Sequence, residues 1–373
     1  MADYKISEVK TRKDLRRFVR FPDELYAGCE QYVPFLHKGQ EDAVSRSVAL
    51  EFCSAKQWMV EADGKVVGRI GAFINRRYNE KYGVKRAGFG WFDSINDIEV
   101  ARLLFSTAET WAKENGMDEI HGPLYYNTLG RQGMLVEGFD KLAPFTCLYN
   151  YPYYVDLVSA LGFEKECDWV QYRMPADQDV PEKMSSIASR LLERYRIRVA
   201  DFDALKKDKE MVHNFFRMYN EAFDGTVYNF VPFTDAEIEE KMKELMGQLD
   251  GRLCCVLLDE NDDVAAFGIA LPSLSKAMRK VRGSLFPFGW WHLLKARNDF
   301  EEVELMLAGA APKWQNTGIS SVFHCMMADQ FKACGARWAI ANPQLEFNTV
   351  INVWERYEHE LWLRRRCWIK KIK

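Results

Sequence analysis

Apolar and polar positions run through this chain in one order, twice. Gln57–Asn75, "QWMVEADGKVVGRIGAFIN", reads as two strands rich in valine and isoleucine around Asp63-Gly64, a pair suited to a tight hairpin turn. Cys254–Pro272, "CCVLLDENDDVAAFGIALP", predicts the same hairpin, turning through Glu260–Asp263. Each hairpin leads through an irregular stretch to a helix. In Asp97–Gly116, Val100, Leu103, Leu104, Ala108 and Trp111 share one helical face, and Gly116 suits the C-terminal cap. Gly318–Gly335 is its counterpart. A short strand follows each helix, in "MDEIHGPL" and "ARWAIANPQ". Each half then closes with a helix and an edge strand, "YPYYVDLVSALGFEKECDWVQYRM" and "VINVWERYEHELWLRRRCWIKKI". This order predicts an α/β (mixed α+β) chain whose halves each hold a mixed β-sheet flanked by helices. Arg173–Ser186, "RMPADQDVPEKMSS", is acidic, proline-bearing and poor in apolar residues, as linkers are, and divides residues 1–175 from 176–373. The second half carries an extra amphipathic insert, "GSLFPFGWWHLLKARNDF".

Bulk properties narrow the class. The length of 373 residues at 48% hydrophobic supports about two packed domains. Fifty-one basic and 54 acidic side chains are interspersed for a net charge of -3, which argues against a nucleic-acid or membrane-surface partner. Nine cysteines form no C-x-x-C pair, and six histidines show no H-x-x-x-H spacing. Reduced thiols and no metal site are therefore expected. The N-terminus lacks an apolar signal core, and no apolar run approaches a membrane span, so a cytoplasmic protein is expected.

One loop points to chemistry. The strand "VELMLAGAAP" runs into "KWQNTGIS" and then into a helix. Gln315, Gly318 and Ser320 fit the pattern Arg/Gln-x-x-Gly-x-Gly/Ala, with Ser320 larger than the usual third residue. With the element order, this resembles the GNAT superfamily of acyl-CoA-dependent N-acyltransferases. "ALGFEKECDWVQYRM" is similar to that family's closing turn and strand, and Asn348 in "LEFNTVINVWERYEHELW" stands at the family's Asn. Over nearly its whole length the chain also resembles uncharacterised bacterial GNAT-like proteins, through "FPDELYAGCEQYVPFL", "LVEGFD" and "GSLFPFG".

The resemblance implies two tandem GNAT-like domains and an acetyl-CoA or other acyl-CoA cofactor. Gln315, Asn316, Thr317, Gly318, Ile319 and Ser320 would hold its pyrophosphate, with Leu307 and Asn348 beside the rest. A helix N-terminus favours an anion through unpaired N–H groups and its partial positive charge, although an ordinary strand-to-helix turn has the same letters. In the first half the equivalent junction carries Asp93, Asp97 and Glu99, which would cap the helix and repel a phosphate. That half is expected to have lost cofactor binding.

Acyl transfer to an amine needs a base and an acid for the leaving thiolate. Glu304 lies where the family places a base, though a strand glutamate is equally an ion-paired or solvent-facing residue. The family's Tyr acid is replaced by Val158 in one half and Trp354 in the other, with Tyr357 a helical turn on. The aromatic groups "YNYPYY", Trp290-Trp291 and "VYNFVPF" could line an acceptor pocket but read first as core and interdomain packing. "LRRRC" and "RCWIKKIK" read as the exposed face of an edge strand. The expectation is an acyl-CoA-dependent N-acyltransferase acting on a small-molecule or peptide amine, monomeric because the tandem repeat substitutes for a dimer. The alternatives are a non-catalytic GNAT-fold scaffold, or an aminoacyl or acyl transferase using another acyl carrier.

Overall fold

A computed structural model describes residues 3–225, 227–245 and 247–372. The first half comprises β1 (Lys5–Glu8), α1 (Arg12–Leu25), α2 (His37–Ser45), β2 (Cys53–Ala62), β3 (Lys65–Asn75) and α3 (Arg76–Tyr82). It continues with β4 (Arg86–Ser94), α4 (Ile98–Glu114), β5 (Glu119–Gly122), β6 (Met134–Glu137), α5 (Tyr153–Ala160) and β7 (Glu164–Pro175). Next come α6 (Glu182–Tyr195), β8 (Arg198–Val199), α7 (Phe202–Leu205), α8 (Lys209–Phe223), α9 (Asp235–Leu245), β9 (Cys254–Leu258) and β10 (Val264–Pro272). The chain ends with α10 (Ser275–Val281), α11 (Gly289–Ala296), β11 (Glu302–Ala310), α12 (Ser320–Cys334), β12 (Trp338–Ile340), β13 (Gln344–Leu345) and β14 (Glu360–Lys371). Among the described residues no helix is long and apolar enough to cross a membrane.

Local signals hold where they were strong. The first hairpin pairs β2 with β3 in antiparallel register. Asp63 (φ 50°) and Gly64 (φ 77°) take the left-handed conformations that its two-residue turn requires. In the second, Asp259 accepts from the amides of Asn261 and Asp263 to shape the turn. Helix α4 begins at Asp97, whose carboxylate accepts from the Glu99 amide at 2.8 Å, as its sequence implied.

Two compact units result, and they do not follow a single cut at 175/176. One holds Met1–Val170, Leu274–Ala296 and Leu363–Lys373; the other holds Gln171–Ser273 and Arg297–Trp362. In the first unit the strand order is β1-β2-β3-β4-β5-β14-β7, in which β4 and β5 run parallel. In the second unit the C-terminal end of β7 pairs with β12, followed by β11, β10, β9 and β8, with β11 and β12 parallel. Each is a mixed sheet flanked by helices.

Three expectations change. The linker starts later than Arg173, because β7 runs on to Pro175 and pairs Arg173, Met174 and Pro175 with Ile340, Ala339 and Trp338. The closing helix of the second half is a 3-10 run over Thr349–Arg356. β14 is no exposed edge: it pairs with β5 and β6, and Leu363, Arg365 and Cys367 are buried at period two. Arg365 keeps its charge inside by donating to the Leu148 carbonyl, and Arg366 clasps buried Asp168 at 2.8 and 3.0 Å.

Candidate functional site

In the second unit, the parallel pairing of β11 with β12 covers only Glu302, Val303 and Glu304, opposite Trp338, Ala339 and Ile340. Beyond Glu304, β11 keeps its partner β10 on the other side only. A bulge makes Met306 the extra residue, between Leu305 opposite Ala270 and Leu307 opposite Ile269. The result is a splay whose β11 wall is Leu305, Met306 and Leu307, all half-buried, and Ala308, exposed. This open splay leads to the loop at the start of α12.

That loop is built tightly. Gln315 is extended and its amide side chain donates to the carbonyls of Ala222 and Ala310, at 3.3 and 3.2 Å. Asn316 (φ 62°) and Gly318 (φ 90°) are left-handed, which turns the chain onto the helix. The Thr317 hydroxyl donates to the Trp314 carbonyl at 2.6 Å and accepts from the Ile319 amide. Ile319 is buried, whereas Gln315, Asn316, Thr317 and Ser320 are exposed. Helix α12 starts without a side-chain cap. Among the described residues the amides of Asn316, Gly318 and Ser320 have no internal acceptor. Unmet amides at the start of a 15-residue helix suit an anion, and the groove beside them suits an apolar arm. The residues therefore fit a ligand that joins a phosphate to an apolar arm.

Gly318 has a second role. A Cβ there would lie 3.0 Å from Ile187 Cγ2 on α6 and 3.7 Å from Leu191 Cδ1. The glycine is needed for its turn and for the packing of α6 as well as for any close approach by a ligand. Lys313, the basic residue nearest in sequence, is held by Asp259 at 2.6 Å and Asp263 at 3.4 Å.

Glu304 is 2% exposed and accepts from the Ser273 hydroxyl at 2.8 Å. It stands at the last parallel pair, where the strands part. Its neighbour Val303 packs into the core beneath α12, so Glu304 faces the opposite side of the sheet. Tyr357 packs on the Val303 side, its hydroxyl 3.7 Å from Met184 Sδ, so the structure does not bring Glu304 and Tyr357 together. Burial pushes the Tyr357 phenol up to about 12, with nearby Cys325 adding to the rise and Arg356 opposing it. Trp354 donates its indole N–H to Gln344 at 2.8 Å. The Asn348 amide donates to the Leu345 carbonyl at the start of the 3-10 run. A group the sequence did not single out is His324, on α12 beside Phe323 and Trp354. Burial, and then the charge of Arg356, lower it to about 4.

The first unit has the same parallel pair, β4 with β5, matched at Arg86, Ala87 and Gly88. Here the splay is shut. The Leu124 amide donates to the Phe89 carbonyl at 2.7 Å, and a Cβ on Gly90 would lie 2.2 Å from the Leu124 carbonyl oxygen. A cavity of about 30 Å³ remains, lined by Trp91, Asp93, Pro123 and Tyr154 among others, room for one or two waters and no more. Asp93 is locked with Arg69 at 2.7 Å, accepts from Tyr26 at 2.8 Å, and lies 3.3 Å from Tyr154. Asp97 caps α4 and accepts from Tyr4 at 2.6 Å, which holds its carboxyl below the usual range. Asp93 and Asp97, two of the acids expected to repel a phosphate, are thus engaged in structure.

Among the described residues one group has metal-ligand chemistry: His121, Glu166 and Cys367. Glu166 Oε2 lies 3.1 Å from His121 Nδ1 and 3.4 Å from Cys367 Sγ, while Oε1 is bound by Arg86 at 2.9 Å. The guanidinium beside the carboxylate opposes a dication there, and the group reads as a buried polar network on adjacent strands.

No protein-family model matches the chain. It is 28% identical over 375 residues to Protein YghO of Escherichia coli, covering 97% of this chain and 94% of that one. It is 29% identical over 301 residues to the bacterial ceramide synthase of Caulobacter vibrioides, covering 79% and 76%. Among solved structures, a tandem GNAT protein from the clavulanic acid biosynthesis pathway superposes with a TM-score of 0.58 at 10% identity, over 100% of this chain and 99% of that one. The fold is that of tandem GNAT proteins.

Proposed function

We propose that this tandem GNAT-fold chain is an acyl-thioester-dependent N-acyltransferase, with the donor held by its second unit. The observation that carries the proposal is the contrast between splays: open beyond Glu304 and continuous with unmet amides in one unit, shut by backbone in the other. The amides of Asn316, Gly318 and Ser320 would hold the pyrophosphate of acyl-CoA, and Leu305–Ala308 would flank its arm. The bound donor supplies an activated acyl group. Glu304, buried at the point where the strands part, takes the proton released by the acceptor amine, and the Ser273 hydroxyl orients its carboxylate. Tyr357 is too weak an acid and on the wrong side to protonate the departing thiolate, so the thiolate leaves unassisted by that residue.

The acceptor proposed is a long-chain amine. The support is the relative named bacterial ceramide synthase, since a ceramide is the N-acyl derivative of a long-chain amino alcohol. The test is calorimetric titration with CoA and with acetyl- and palmitoyl-CoA, followed by thiol release in the presence of a sphingoid base or a short amine. Donor binding with thiol release that depends on the amine supports the proposal. Absence of binding by CoA and by both acyl-CoA donors refutes it, and binding without turnover leaves a scaffold. A catalytic Glu304 predicts that Glu304→Gln binds donor normally and turns over poorly.

A further inference from the structure

The aromatic insert is the least explained surface of the first unit. Its Trp290-Trp291 pair was expected to pack inside, yet Phe286 is 81% exposed, Phe288 73%, Trp291 52% and Leu294 54%. Helix α11 has no buried residue. The segment is nonetheless firmly built. Ala277, Met278 and Val281 anchor α10, and the His37 amide donates to the Gly283 carbonyl at 2.9 Å. His37 is itself paired with Asp23. Within the tip the Ser284 hydroxyl donates to the Phe286 carbonyl, the Trp290 amide to Leu285, and the Trp290 indole to Pro287. These rings are presented outward by a hydrogen-bonded frame; they are not left over from a loose loop.

Charge identifies the partner. From Val264 to Asn298 the chain has no Asp or Glu, although acids outnumber bases overall. Arg279, Lys280, Arg282 and Lys295 are all exposed beside the apolar tip. A second copy of this face would bring like charges together, whereas an anionic lipid surface offers both complements. Phe side chains enter the acyl boundary, Trp rings sit at headgroup depth, and Lys and Arg meet the phosphates. We infer that Leu285–Leu294, with its basic flank, seats this protein on the surface of an anionic lipid bilayer. Helix α11 has 8 residues, far short of a span, so attachment is peripheral. The inference stands apart from the acyl-transfer proposal, since neither needs the other.

The test is flotation of the full chain with phosphatidylcholine vesicles and with equimolar phosphatidylcholine/phosphatidylglycerol vesicles. The chain is expected to float with the anionic vesicles, weakly with neutral ones, and less as salt rises. Phe286→Ser with Phe288→Ser changes only exposed side chains, and should lower the bound fraction about tenfold or more on anionic vesicles. Arg279→Glu with Lys280→Glu should erase the preference for the anionic lipid. Thermal melts check that both variants fold. No flotation of the wild type overturns the inference, as does flotation untouched by the Phe pair. Concentration-dependent self-association abolished by the Phe pair, without vesicle binding, would reassign the patch as a contact between copies.

Discussion

Ser320→Glu separates the fold of the candidate cradle from its chemistry. Ser320 is the first residue of α12, exposed, and its amide is one of the three unmet donors. A carboxylate in a first helical turn is favourable, by about 0.3–1 kcal/mol, so the variant should melt at or slightly above the wild-type temperature. The same carboxylate would stand about 5 Å from a bound phosphate charge, where repulsion is roughly 0.8 kcal/mol at the permittivity of water and about 3 kcal/mol at an effective value of 20. Exposure places the site in the lower part of that range, about 1–2 kcal/mol, or a dissociation constant raised roughly 5- to 30-fold. Calorimetry with CoA at two ionic strengths measures it, and the penalty should shrink at high salt. Gly318→Ala is the contrasting variant. It sets a Cβ at φ 90° and 3.0 Å from Ile187, costing about 1–2 kcal/mol of stability from the left-handed backbone alone. Its effect should appear mainly in the melt. An unchanged dissociation constant for Ser320→Glu would refute placement of the pyrophosphate at this helix start.

Further expectations follow from the same geometry. Glu304→Gln should lower kcat about 10²- to 10⁴-fold, the usual contribution of a positioned base, with donor affinity unchanged by calorimetry. Asp93→Asn breaks an almost fully buried pair with Arg69 and should cost about 3–5 kcal/mol in denaturant unfolding. Tyr154→Phe removes the acceptor of the Ser94 amide and the Tyr26 contact at 2.8 Å, for a smaller loss of about 1–3 kcal/mol. His324 is held neutral by burial at about 4, below the unfolded value of about 6.5. Protonation therefore favours the unfolded chain. Stability should fall as pH drops from about 6.5 and level off below about 4, and His324→Asn should flatten that slope in pH-dependent melts.

The chain's letters determined what depends on neighbours in sequence. Asp63-Gly64 specified a turn by its φ preference, Asp97 specified a cap by its reach to Glu99, and Gly116 and Gly335 marked helix ends. The element order, and with it the tandem GNAT-like plan, was legible for the same reason. The loop Gln315–Ser320 was visible as a pattern, but its open groove was not, since that depends on where β12 leaves β11. Tertiary structure alone decided which strand completes which sheet. The run "LRRRCWIKK" looks like a solvated edge because arginine is costly to bury. Only when β14 lies between β5 and β7 do the Leu148 carbonyl and Asp168 appear as partners for Arg365 and Arg366. The aromatic insert failed in the opposite direction. Phe and Trp predict burial on average, and nothing local to residues 285–294 says that the described residues leave Phe286 and Phe288 largely uncovered. Burial and pairing depend on residues as far away as the 217 positions between Arg365 and Leu148, and local spacing carries no record of them.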